Sequence, residues 1–221
     1  MKTRIALLSL LTIACLVLAV APAMAGTVYS NGPYNGTNDG WTINFGFSVS
    51  DSFTDGSGAA ISDLHIVYWD ASSSDVLTTV DMALGSSSFG GTPHTLVGVA
   101  NTFLGTNQYG YNLFQADATG LSIPWASGAG FATLGNACST SGCSISNPIY
   151  WDENSGPSTA YENTLGSIPS EAFTLSGCSG CVCFADGSSS CGPPTPEPSS
   201  IMLFGSGMLG LVRVLRRKLG R

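Results

Sequence analysis

From Trp41 to Val49 apolar and polar residues alternate strictly, with Trp41, Ile43, Phe45, Phe47 and Val49 on one side and Thr42, Asn44, Gly46 and Ser48 on the other. Successive side chains of a strand point to opposite faces, so this period of two predicts a strand with one buried face. Val76, Thr78, Val80, Met82 and Leu84 repeat the pattern less purely. Residues 64–69 are largely apolar on both faces and predict a central strand. Shorter candidates lie at 96–100, 109–114, 130–134, 148–151 and 172–175, separated by turn clusters such as Asn31-Gly32, Asn35-Gly36, Asp55-Gly56 and Gly90-Gly91. No long stretch carries a 3.6-residue period. The expected fold is all-β, an antiparallel β-sandwich of jelly-roll type.

The two ends follow a different pattern. Lys2 and Arg4 precede an apolar run over 5–20, and Ala23-Met24-Ala25 supplies the small-x-small pattern of a signal-peptidase site. Cleavage after Ala25 would leave Gly26 as the mature N-terminus. Cys15 raises a lipoprotein alternative, although Thr12 stands where that signal wants leucine and the apolar run continues past the cysteine. At the other end Pro196-Glu197-Pro198 is followed by an apolar stretch over 201–212 and a basic cluster of Arg213, Arg216, Arg217, Lys218 and Arg221. A helix there buries apolar side chains in hydrocarbon and keeps the basic cluster on the cytoplasmic side. Even counted over 199–215 it reaches only the lower limit of roughly 17 residues for a membrane span, which predicts a marginal, temporary stop. The expected organisation is therefore a signal peptide at 1–25, a sandwich domain at 26–176, a Cys/Pro-rich linker at 177–195 and a C-terminal signal at 196–221.

That C-terminal combination of a proline-bracketed motif, a short apolar helix and a terminal arginine cluster resembles the PEP-CTERM sorting signal of exported proteins in Gram-negative bacteria. The resemblance implies recognition through Pro196, Glu197 and Pro198 and cutting nearby by a membrane protease of the exosortase type, whose own residues do the catalysis. It also implies export across the inner membrane, transient anchoring there, and release to the cell surface or medium. Much of the body is similar to a recurring group of exported PEP-CTERM domains, through Gly40-Trp41-Thr42-Ile43-Asn44, Phe47-Ser48-Val49-Ser50-Asp51-Ser52-Phe53, Tyr150-Trp151-Asp152-Glu153-Asn154-Ser155-Gly156-Pro157-Ser158 and Ile168-Pro169-Ser170-Glu171-Ala172-Phe173. That similarity implies a sandwich in an extracellular setting and carries over no catalytic residue.

Charge narrows the function further. All seven Lys and Arg residues lie in the two end segments, so the body between Gly26 and Thr195 has none, while every acidic residue follows the signal peptide. Such an anionic body repels nucleic acids, phosphates and anionic lipid surfaces. It also has no lysine or arginine to act as Schiff-base amine or oxyanion clamp. Neutral sugars, cations and basic surfaces remain as partners.

Setting aside Cys15, six cysteines remain: Cys138, Cys143, Cys178, Cys181, Cys183 and Cys191. An even number in an exported chain predicts disulfides. Cys138 and Cys143 flank a four-residue loop and would staple a hairpin tip if paired. The Cys-x-x-Cys-x-Cys spacing of the others could hold zinc or an iron–sulfur cluster in a reducing compartment, and Cys178 with Cys181 could form a redox pair. No histidine lies near, the βαβ context of a redox motif is missing, and the export route is oxidising.

Little else offers chemistry. His65 sits in an apolar strand and His94 in a turn, and neither is expected to act as a base. Asp152 and Glu153 are adjacent, which on a strand points them to opposite faces rather than across a glycosidase cleft. Asp51 and Asp55, read as turn acids, form a weak calcium candidate. No other metal and no cofactor is expected. Trp125 and Trp151 are expected at exposed positions where a sugar ring can stack, with Asp152, Glu153 or Asn154 as polar partners. The sequence thus points to a non-enzymatic, exported protein with a structural or adhesive role at the cell surface or in an extracellular matrix. The alternative is a carbohydrate-binding module for neutral or exopolysaccharide glycans.

Overall fold

The computed structural model describes residues 26–143, 147–178, 182–183 and 189–190. The expected signal peptide and C-terminal signal lie outside the described residues. Among the described residues there is no helix, hence none long and apolar enough to cross a membrane. The strands, in chain order, are β1 (Gly26–Ser30), β2 (Gly40–Thr42), β3 (Ser48–Asp55), β4 (Ala60–Asp70), β5 (Leu77–Gly85), β6 (His94–Val97), β7 (Ala100–Thr106), β8 (Asn112–Ala118), β9 (Gly128–Ser139), β10 (Tyr150–Asp152), β11 (Ala160–Glu162), β12 (Gly166–Ile168), β13 (Phe173–Cys178), β14 (Val182–Cys183) and β15 (Ser189–Ser190).

Two antiparallel sheets account for the body. One has seven strands centred on β4, which pairs with β8 along one edge and with β13 and then β10 along the other; β1, β2 and β7 flank these. The other has six strands in the order β12-β11-β3-β9-β5-β6. A short ladder joins β14 to β15. Both sheets contribute to one buried cluster, with Val49, Phe53, Met82 and Leu134 from the six-stranded sheet and Leu64, Ile66, Tyr68 and Leu175 from the seven-stranded one. Covering a single core from two sides removes the inner face of each sheet from water, which is the main source of stability for such a fold.

The doubly apolar character of residues 64–69 has a direct explanation. Leu64, Ile66 and Tyr68 point into the shared core, while Val67 and Trp69 join Leu113 in a second cluster on the outer face of the sheet. That outer cluster is covered by Leu104, Tyr111 and Tyr150.

The alternating run at 41–49 is not one strand. It ends as β2 at Thr42, turns, and resumes as β3 at Ser48 in the other sheet. Phe45 and Gly46 take positive φ values of 61° and 86°, and the Phe47 amide donates to the Asn44 carbonyl at 3.0 Å. Ile43 remains buried and bonded to both sides, its amide to Ile149 and its carbonyl to Ala137. Phe47 is consequently exposed rather than core. The periodicity was real for burial at Ile43 and Val49 but could not report a corner at which the chain changes sheets. The expected strand at 109–114 likewise begins only at Asn112, since residues 107–111 form a turn.

The Cys138–Cys143 disulfide closes the tip following β9. Within it Ser139 and Gly142 bond to each other through both backbone amides, as a hairpin end requires. For Cys178 and Cys183 only the backbone is described, and Cys181 and Cys191 lie outside the described residues.

Candidate functional site

The ligand residues expected from sequence do not form an exposed platform. Trp151 is fully buried, its Nε1 donating to the Ala172 carbonyl at 2.9 Å and its ring edge-on to Phe173. Trp125 is half-buried against the core and lies over Gly130, where a side chain would collide with the indole; its ring centroid is 5.1 Å from that of Phe53. Asp152 is fully buried and organises backbone. Its carboxylate accepts from the amides of Asn35 and Gly36, both at 2.8 Å, and from Trp69 Nε1 at 2.6 Å. Burial raises its pKa and these three donors oppose the rise. Buried Asn154 donates to the carbonyls of Asn31 and Pro33 and accepts from Ser170 and Gly156. Half-buried Glu153 accepts from Trp41 Nε1 at 3.1 Å. These side chains hold the surrounding loops, and Trp151 in particular presents no surface to a ligand.

The calcium candidate also dissolves. Asp51 and Asp55 belong to strand β3 rather than to a turn, and four residues of strand separate their Cα atoms by about 13 Å, too far for one ion to be shared. Asp55 instead accepts from Ser57 and Gly58 and closes the turn after β3. Asp51 points inward, where its Oδ2 accepts from Asn31 Nδ2 at 3.2 Å and the Glu171 amide at 2.7 Å. Among the described residues no three His, Cys, Asp or Glu side chains converge on a possible ion.

Asp51 and Glu171 together make an unusual buried pair. Both are fully inaccessible, and Asp51 Oδ1 and both Glu171 carboxyl oxygens lack a hydrogen-bond partner. Burial pushes Asp51 up to about 6, and burial followed by the neighbouring charge of Asp51 holds Glu171 well above the usual carboxylate range. Glu171, with neither water nor a donor on its carboxyl group, is most stable protonated, whereas the Asn31 and Glu171 amide donors oppose part of the rise at Asp51.

An open aromatic cleft occupies the outer face of the seven-stranded sheet. Its floor is Trp69, paired across strands with Tyr150, and both stand on the outward parity of β4 and β10. Gly40 of β2 lies tight against them; a Cβ there would meet the Tyr150 side chain at 2.9 Å and Trp69 at 3.3 Å. Tyr109 and Tyr111 come from the β7–β8 turn, shaped by the Asn107 side chain, whose Oδ1 accepts from both tyrosine amides at 3.0 Å, and by Gly110 with φ of 86°. The turn is fastened to the loop before β2, Gln108 donating to the Thr37 carbonyl and the Tyr109 hydroxyl to the Asn38 carbonyl. The rings touch in series: Trp69 to Tyr109 at 6.1 Å and 28°, Trp69 to Tyr111 at 6.0 Å and 35°, Tyr111 to Tyr150 at 5.4 Å and 78°. Exposed Asn38 and Asp39 form the polar rim of a cavity of ≈ 380 Å³. Burial, then the Tyr111 hydroxyl and the Asp39 charge, push Tyr150 up to about 12, so its phenol stays a neutral donor.

Trp69 is expected from the sequence on a central strand, and Tyr109, Tyr111 and Tyr150 carry no expected binding role. The available signal was parity: with Trp151 facing inward, its neighbour Tyr150 must face outward. A larger cleft, ≈ 520 Å³, lies over Asn31, Asn154 and Gly156, but those amides are already bonded to one another. His65 is likewise engaged, its Nδ1 lying 2.6 Å from Asp117 Oδ1 across the β4–β8 ladder.

No curated protein matches the chain. The sorting residues Pro196, Glu197, Pro198, Arg213, Arg216, Arg217 and Lys218 fall outside the described residues, as do Ala23 and Ala25 at the signal-peptidase site, whereas Gly26 opens β1. Over residues 194–218 the chain matches the PEP-CTERM protein-sorting motif, the signal of an exported protein that is held transiently in the membrane and processed there by an exosortase.

Proposed function

We propose that this chain is a non-enzymatic protein of a Gram-negative cell surface or extracellular matrix, with a structural or adhesive role. The match at 194–218 carries the reading, because it ties the body to export and processing rather than to an internal reaction. The body supports it: no Lys or Arg lies between Gly26 and Thr195, and His65 and Asp152 are occupied in holding strands and turns. A core shared by two antiparallel sheets supports the sandwich of jelly-roll type. Mature protein beginning at Gly26 and disulfides among Cys178, Cys181, Cys183 and Cys191 belong to the same reading.

The test is intact mass and cell fractionation of the native protein, with and without a functional exosortase. We expect a product that has lost the tail near Pro196-Glu197-Pro198 and has moved to the surface or medium. A basic tail that persists in the membrane fraction of both strains makes the protein a plain membrane anchor and removes the matrix role. Recognition of a neutral glycan, including an exopolysaccharide, is the second reading; the open aromatic cleft favours it, in place of Trp125 and Trp151.

A further inference from the structure

The cleft has a composition that narrows what it can hold. Its rings touch in series, with centroids 5.4 to 6.1 Å apart for three successive pairs, so they form a continuous stepped surface rather than separate walls around an ammonium group. That surface is apolar and most open at Tyr109, which is 56% exposed. The body carries no Lys or Arg and the rim carries Asp39, so a carboxylated, sulfated or phosphorylated ligand is repelled. A purely apolar ligand would leave the polar rim unpaired. The complementary chemistry is a ring with an apolar C–H face to lie on the aromatics and hydroxyl groups to donate to Asp39 and accept from a phenol of the Tyr111–Tyr150 pair, the Tyr109 hydroxyl being bonded to Asn38. The volume falls within the about 300–1,000 Å³ of ordinary small-molecule sites.

We propose that the cleft of Trp69, Tyr109, Tyr111 and Tyr150, rimmed by Asn38 and Asp39, binds the uncharged sugar rings of a neutral oligosaccharide. Tyr109 and Tyr111 stack on the sugar, Trp69 and Tyr150 form the floor, and Asp39 accepts from sugar hydroxyls. The assignment deepens the adhesive reading above and rests on it for its biological setting. It fails separately, since processing and fractionation are indifferent to these residues.

The experiment is calorimetric titration of the full chain in mild detergent with neutral homo-oligosaccharides of glucose, mannose, galactose and xylose, and with polygalacturonate as the anionic comparison. We expect at least one neutral oligosaccharide to bind, Tyr109→Ala to weaken that binding by about tenfold or more, and Leu165→Ala, an exposed change on the other sheet, to leave it unaltered. Tyr109 is exposed in a turn, so its loss leaves the core packed; Asp39→Asn gives a second reading of the rim and is also expected to weaken binding. Four results overturn the proposal: no neutral oligosaccharide binds, polygalacturonate binds as tightly, binding survives Tyr109→Ala, or Tyr109→Ala dissociates a dimer while no sugar is bound.

Discussion

Asp51 and Glu171 show how much one residue's surroundings decide. An acid whose pKa is higher in the folded chain than in the unfolded one binds extra protons on folding between the two values. Its stabilisation is therefore complete below the unfolded value, 3.8 for Asp51, and is lost as pH rises through the folded value of about 6. Glu171, raised further by burial and by Asp51, prolongs the decline to higher pH. Urea unfolding between pH 4 and 8 is expected to show stability falling across this range, by about 3 kcal/mol for Asp51 alone. Glu171→Gln removes the ionisable group, and with it the cost of keeping it protonated, at nearly constant volume and is expected to raise stability at pH 7.5 by about 1–3 kcal/mol. A stability that climbs from pH 4 to pH 8 would show that both acids are ionised without penalty. Neither partner was legible in the sequence, where Asp51 resembled a turn acid and Glu171 stood 120 residues away; only the fold brings the Glu171 amide onto Asp51.

At the level of elements, period and turn residues located β4, β5, β9, β10 and β13, while β1, β7, β11 and β12 were not foreseen, and the misread run at 41–49 has a definite cause. Alternation reports burial, and burial persists where a chain leaves one sheet for the other, as at Ile43 and Val49 on either side of the positive-φ corner. In β10 the strand parity sets Trp151 inside and Tyr150 outside, the reverse of the exposed position expected for Trp151 from its neighbouring acids. The Cys138–Cys143 hairpin tip, by contrast, was readable from spacing. Its loop is short, with a sequence separation of 5, so the bond removes little chain entropy from the unfolded state. Asp75 holds the same tip independently: burial works against its charge, but bonds from Thr140, Ser141 and Ser139 overcome this and bring its pKa to about 2. The double variant Cys138→Ser, Cys143→Ser is accordingly expected to lose about 2 kcal/mol in urea unfolding. A loss above about 4 kcal/mol would mean that the disulfide, rather than Asp75, organises this end of β9.

On the scale of the whole molecule, charge segregation was plain in the sequence and the cleft was not, because its rings come from β4, β10 and the β7–β8 turn, segments far apart in the chain. A body with acids and no Lys or Arg repels itself, and salt screens that repulsion over about 10 Å at 0.1 M. Thermal unfolding of the full chain is expected at higher temperature in 0.5 M than in 0.01 M sodium chloride; an unchanged midpoint would mean that the acids are too dispersed to act collectively. Ala60, at the start of β4, is paired with Cys178, where the seven-stranded sheet ends, whereas Trp69, near its other end, lies in the cleft. Nine residues of strand put these points about 30 Å apart. Opposed forces applied at Trp69 and at Cys178 would therefore run along β4 and β13 and load their ladder in shear. Its hydrogen bonds would resist together instead of parting singly, so the sheet is oriented to bear opposed forces at Trp69 and Cys178.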